Sequence, residues 1–301
     1  MEARGDWLSR GRGASAARGS VFRDPLAMAG LSVLAVMGFL AVAAPGLPLS
    51  DPDAIDAMHR LEGASIAHPL GTDNLGRDLL SRLVWGSRWS LGTVAFATVC
   101  IMSIGVTVGI VAGYCGGLID NVLMRVVDVF LALPSLLLAL AIGGILGPGF
   151  TSVLIALVSV WWAGYARIVR GLVIAMRGRD FIHAARALGG GDVHVMVRHL
   201  LPNVLPPVAV LATIEMGDLV LAVAALGFLG IGVEAPTAEW GTMVSDARPF
   251  LLSAPALMMY PGVAITAAVI AFNVLGDGLR DAFDPRTALL QAGLPGRDRG
   301  H

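Results

Sequence analysis

The chain has 301 residues, 56% of them hydrophobic and 14% charged, where a soluble domain carries about 25% charged residues. That deficit argues against a water-soluble fold, and a formal charge of −1 leaves no case for nucleic-acid binding. The apolar excess is aliphatic and small, as in helices packed in lipid, and the expected fold is an all-α integral membrane protein with six transmembrane helices.

An Arg-rich tail over residues 1–24 carries Arg4, Arg10, Arg12, Arg18 and Arg23. A charge-free run from Pro25 to Ser50 follows. It is too long for a signal-peptide core and has no clear cleavage site, so it predicts an uncleaved first span. Residues 51–88 form a polar segment with six acids and four arginines. Within it, Gly71-Thr72-Asp73-Asn74-Leu75-Gly76-Arg77-Asp78 predicts a turn and then an amphipathic helix capped by Thr72 or Asp73. The expected role of this segment is a solvated loop lying on the membrane surface.

Residues 89–276 hold the other five spans. Trp89 to Ile119 is free of charge, with its core at Leu91–Ala112. The run Val129–Ala166 is too long for one helix, and Gly147-Pro148-Gly149 divides it into spans near Val126–Leu146 and Thr151–Tyr165. A fifth span is expected near Val208–Leu229 and a sixth near Ala256–Leu275. Pro134 and Pro261 should kink their helices. Residues 277–301 make a polar tail. With the N-terminus inside, inner segments hold 16 arginines and outer ones five. The positive-inside rule therefore predicts both termini in the cytoplasm.

Cys100 and Cys115 lack metal-ligand spacing and read as packing residues. Arg125 and Asp128 are spaced for a local ion pair on one helix. Trp161, Trp162 and Tyr165 read as anchors at the membrane interface. His194 and His199, five apart, should not face each other on a helix, and His59 and His68 are not assigned to metal. Glu215 and Asp218 lie three apart in the fifth span and share a helical face. They read either as a pore-lining pair or as acids solvated near the surface or paired with a neighbouring arginine.

The loop between the fourth and fifth spans is the most informative stretch. Asp180 to Leu188 has helical periodicity, Gly189-Gly190-Gly191 breaks it, and a second helical piece, Val193 to Leu200, should stop before Pro202. Small residues at Ala184, Ala185 and Gly189 would let another protein approach the backbone. The alternative is an interfacial helix resting on lipid through Phe181, Ile182 and Leu188.

Here the chain resembles a family. Ala184-Ala185, Gly189 and Leu201-Pro202 fall at the spacing of the loop motif in permease subunits of ABC importers. Further landmarks look like the dipeptide/oligopeptide/nickel subfamily, and within it the second, "C"-type permease. They are Gly71-Thr72-Asp73, Gly76-Arg77-Asp78, Ser81-Arg82, Gly86, Arg88 and Ser90; Leu226-Gly227-Phe228-Leu229-Gly230-Ile231-Gly232 with Trp240-Gly241; Asn273 to Asp281; and Asp284-Pro285-Arg286. Two positions depart from the pattern: His183 stands where the family motif opens with Glu, and Val223 stands where the family often has a Glu.

The resemblance implies the type I ABC importer permease fold. Its coupling-helix loop, residues 180–203, would dock on a cytoplasmic ATPase through Asp180, His183, Ala184, Ala185, Gly189, Leu201 and Pro202. The implied partners are a second homologous permease, two cytoplasmic ATP-binding subunits or domains, an extracytoplasmic substrate-binding protein and the bilayer of the cell membrane. The implied cargo is di- or oligopeptides, or nickel complexes, moved inward. The sequence has no lysine and so no phosphate-binding Gly-Lys-Ser/Thr loop, so the chain itself is not expected to hydrolyse ATP. No catalytic residue, metal site or cofactor is expected. The rival from another class is a stand-alone secondary transporter using Glu215 and Asp218 as ion sites.

Overall fold

The computed structural model describes residues 24–283. The Arg-rich tail up to Arg23, the tail beyond Phe283 and the Asp284-Pro285-Arg286 landmark lie outside the described residues.

Helix α1 (Pro25–Ala43) starts where Asp24 accepts the Leu26 N–H at 2.9 Å, with Pro25 in the first turn. Helix α2 (Leu79–Cys115) has 37 residues, roughly 55 Å of rod. Asp78 caps it by accepting the Ser81 N–H at 3.1 Å. The expected amphipathic helix after Gly71 is therefore not a separate element. Gly71 and Gly76 adopt φ of 83° and 80°, and the chain closes into a knot bridged between Thr72 and Asp78. Asp73 serves that knot, accepting the Leu75 and Arg77 N–H groups at 2.8 and 3.0 Å.

Helices α3 (Gly117–Leu131) and α4 (Ser135–Leu146) replace the expected third span. They meet at 86° across Ala132–Pro134. Pro134 does more than kink a continuous helix: with no N–H to donate, it ends one helix and precedes the next. Helix α5 (Phe150–Arg177) runs well past Tyr165. Trp161, Trp162 and Tyr165 thus sit in mid-helix, and Tyr165 is fully buried, which removes the interface-anchor reading for it.

Helix α6 (Asp180–Ala187) is followed by α7 (Asp192–Val195), a π-helical turn (Met196–Leu200) and α8 (Leu201–Phe228). The second piece of the loop does not stop before Pro202. The widened turn falls just before the proline, where a regular α-turn would call for a donor that proline lacks. Helix α9 (Trp240–Ala247) and the long α10 (Ala256–Phe283) complete the chain. Among the described residues, five segments are long and apolar enough to cross a membrane: Pro25–Gly46, Leu79–Cys115, Phe150–Arg177, Asp192–Phe228 and Ala256–Ala282. The bent pair α3–α4, counted as one, makes six.

The core lies between α2, α5, α8 and α10, around Ile101, Leu157, Leu219, Leu226 and Ala268. Along α2, Gly105, Gly109 and Gly113 recur every four residues and form a seam against α5. A Cβ on Gly109 would lie 2.6 Å from Val169 Cβ, and one on Gly113 2.8 Å from Val173 Cβ. Absent side chains let the two backbones touch, and close packing is the main attraction available between helices in lipid. Asp120 of α3 receives two bonds from Arg170 of α5, at 2.5 and 2.7 Å. Asp128 pairs with Arg167 of α5, not with Arg125 as expected, because the bend lays α3 alongside α5.

Candidate functional site

The loop 180–203 lies at the end of the bundle where α2 finishes. Ile182, Val195 and Leu200 are fully buried and seat it on the core. The outward face is different: Asp180, His183, Ala184 and Gly189 are exposed, Ala185 is half-buried, and at the start of α8 Leu201 is half-buried and Pro202 exposed. Helix α6 ends in a glycine stop. Gly189 takes φ of 84°, its N–H donates to Arg186 at 2.9 Å, and the Gly190 N–H donates to Ala185 at 3.0 Å. The chain then reverses, and a groove of about 630 Å³ opens between Ala184, Ala185, Gly189, His194 and His199. Small residues form its floor, so an inserted segment would meet backbone.

The π-turn corrects the expectation for His194 and His199. Their rings pack edge-on with centroids 5.6 Å apart, because an i→i+5 turn aligns residues that an α-helix would separate. No group of three metal-ligating side chains occurs among the described residues.

Sequence reasoning missed the anchor beneath this loop. Tyr114, the penultimate residue of α2, is 6% exposed. Its hydroxyl donates to Asp192 Oδ1 at 2.7 Å and accepts from Arg186 Nε at 3.3 Å. The Arg186 guanidinium also lies over the Tyr114 ring, 4.9 Å from its centroid. A polar tip at the end of a charge-free run was the available signal.

At the opposite end of α2 the signature residues form a buried polar cluster. Arg77 Nε donates to Asp73 Oδ2 at 2.6 Å. Arg82, 3% exposed, reaches the carbonyls of Pro52 and Pro236 at 3.0 and 3.2 Å. This arginine therefore ties residues 51–53 to the loop before α9. Glu239, also missed, is the N-cap of α9: it accepts from Gly241 and Thr242 N–H at 2.8 and 2.9 Å and from the Ser90 hydroxyl at 2.9 Å. Burial pushes its carboxyl upward from the usual range, while the two backbone donors and Ser90 pull it back. An acid directly before Trp240-Gly241 was the visible clue. Gly86 leaves room for Trp240, whose indole N–H donates to Leu83 at 3.0 Å. The glycines of the second landmark also have a packing reason, since a Cβ on Gly232 would lie 2.6 Å from Gly227 Cα.

Inside the bundle, Glu215 and Asp218 do not share surroundings. Glu215 is half-buried beside the buried Tyr165 hydroxyl, whereas Asp218 is exposed.

Residues 105–289 match the family model described as "Binding-protein-dependent transport system inner membrane component". The chain is 44% identical over 255 residues to the nickel transport system permease protein NikC of Escherichia coli, covering 85% of this chain and 92% of that one. It is 44% identical over 264 residues to the dipeptide transport system permease protein DppC of Alkalihalophilus pseudofirmus, covering 88% and 87%. The glutathione transport system permease protein GsiD of Pectobacterium atrosepticum is 39% identical over 258 residues, 86% of each chain. With its apolar helices and signature clusters in place, the chain belongs to the family of inner membrane components of binding-protein-dependent transport systems.

Proposed function

We propose that the chain is one of two pore-forming permease subunits of an ATP-driven importer moving di- or oligopeptides inward across the cell membrane. In this reading both termini and the loop 180–203 are cytoplasmic, and the Arg82–Glu239 end faces outward toward a substrate-binding protein. The carrying observation is the small-floored groove around Ala184, Ala185 and Gly189, which stands on helices continuous with membrane spans. A segment seated there is coupled mechanically to α2 and α8. The residues assigned to docking are Asp180, His183, Ala184, Ala185, Gly189, Leu201 and Pro202. A nickel-complex cargo is the second reading, favoured by a nickel permease relative of the same identity as the dipeptide one.

Asp218 is the better candidate for the pore wall. An exposed carboxylate at membrane depth faces water or another protein rather than lipid. Glu215, turned to Tyr165, is the weaker of the two. The decisive experiment co-expresses the chain with candidate ATPase and permease subunits and measures co-purification and ATP-dependent uptake of labelled dipeptides against Ni²⁺. Association with ATPases and ATP-dependent uptake support the reading; uptake by this chain alone along a proton gradient would overturn it.

A further inference from the structure

We propose that Tyr114 is a positioning residue, the latch through which movement of the loop 180–203 is passed to α2 and along it to the opposite face of the membrane. This rests on the importer reading above and specifies how one coupling loop moves a span.

Three observations converge. First, Tyr114 bonds side chains on both arms of the loop from one helix end. Its hydroxyl donates to Asp192 of α7 at 2.7 Å, and Arg186 of α6 bonds the same oxygen at 3.3 Å while covering the ring. Asp192 and Arg186 are themselves exposed, so Tyr114 is the buried fixed point of the three. A bond to a charged acceptor is stronger than a neutral one and restricts direction as well as distance.

Second, α2 is built to carry displacement without bending. It has 37 residues without an internal proline, and its glycine seam locks it against α5 over Gly105, Gly109 and Gly113. Next to the latch, Arg177 Nη1 of α5 donates to the Gly113 carbonyl at 3.3 Å, so the two helices end as one body. Third, the far end of the same helix carries Arg82 and Ser90, which hold the 50s segment and the Glu239 cap of α9. One rod therefore connects the loop groove to the polar cluster where a binding protein would act.

The arrangement separates holding the ATPase from using it. The groove is lined by α6, the glycine turn and the two histidines, and Tyr114 is not part of that lining. Loss of the latch should leave docking in place and weaken the transmission of its movement to α2.

The test uses the full complex of this chain with its partner permease and ATPases in nanodiscs. Cys100 and Cys115 are replaced by serine, and Arg88→Cys, exposed near the far end of α2, reports by its rate of labelling with a membrane-impermeant maleimide. The rate is compared without nucleotide and after trapping with ATP and vanadate. The latch predicts a nucleotide-dependent change that Tyr114→Phe reduces by about tenfold, the scale of one hydrogen bond to a charged group, with ATPase subunits still bound. Tyr114→Phe keeps the ring under Arg186, so simple loss of packing is not its effect. Should that variant fail to assemble, Asp192→Ala and Asp192→Asn give the same reading: Asn retains an acceptor for the tyrosine hydroxyl and preserves the change, and Ala loses it. A nucleotide-dependent change that survives Tyr114→Phe, or survives Asp192→Ala, overturns the latch while leaving the importer reading intact. Absence of ATPase from the complex of the unsubstituted chain overturns the importer reading, and the latch with it.

Discussion

The Ser90 hydroxyl donates to Oε1 of Glu239 at 2.9 Å, joining the first third of a membrane-length helix to the N-terminus of α9. Ser90 and Glu239 are both almost fully buried, and the same Oε1 accepts the Gly241 N–H at 2.8 Å. Removing the carboxylate strands three donors away from water. We expect Glu239→Ala to lower stability by about 2–4 kcal/mol. Glu239→Gln, which keeps one acceptor oxygen, should fall between it and the native chain. Unfolding of the purified chain in mixed detergent micelles measures both, and equal stability of Glu239→Ala and native chain would refute the assignment.

Gly109 sets how closely α2 and α5 approach, because a Cβ there would lie 2.7 Å from the Ala166 carbonyl oxygen as well as 2.6 Å from Val169 Cβ. Backbone cannot yield as a side-chain tip does. Gly109→Val should cost about 2–3 kcal/mol by overpacking, whereas Gly92→Ala, with nothing within 4 Å of its Cβ, should be neutral or slightly stabilising. The same unfolding assay compares the two.

At Gly189 the constraint is conformational. Nothing lies within 4 Å of a Cβ there, yet φ is 84°. Gly189→Ala should therefore destabilise the end of α6 by about 1 kcal/mol through backbone strain alone, with Gly189→Asn better tolerated. Hydrogen exchange at the Gly189 and Gly190 amides reads the local loss. A bulky residue at the same position should weaken ATPase co-purification, since it projects into the groove.

His59 and Asp56 form an exposed pair at 2.7 Å. The hydrogen bond and charge of Asp56 hold the imidazole above its ordinary value of 6.5, and the same bond to His59 holds the Asp56 carboxyl below its ordinary 3.8. The raised histidine stabilises the loop fully below pH 6.5, and that contribution is lost as pH rises through its native pKa. The acid side mirrors this, with stability lost as pH falls through the lowered carboxyl value. Imidazole NMR titration should show His59 moving back toward 6.5 in Asp56→Asn; an unchanged midpoint would exclude the pair in solution.

The amino-acid pattern alone determined the membrane class, the apolar stretches that form the long helices and the position of the exposed loop. These depend on runs of apolar residues and on local breakers such as Gly189-Gly190-Gly191, which act within one stretch of chain. The loop motif and the signature glycines were legible for the same reason. What tertiary structure decided was pairing across distance. The sequence could offer Arg125 to Asp128, but the 86° bend before Pro134 brings Asp128 to Arg167 instead. Five-residue spacing separates His194 from His199 on an α-helix, and a π-turn beside Pro202 joins them. Glu239 and Ser90 lie 149 positions apart, and Tyr114 and Asp192 lie 78 apart. No periodicity reports such contacts, because a buried polar group chooses its partner from whatever the packing of other helices brings within bonding distance.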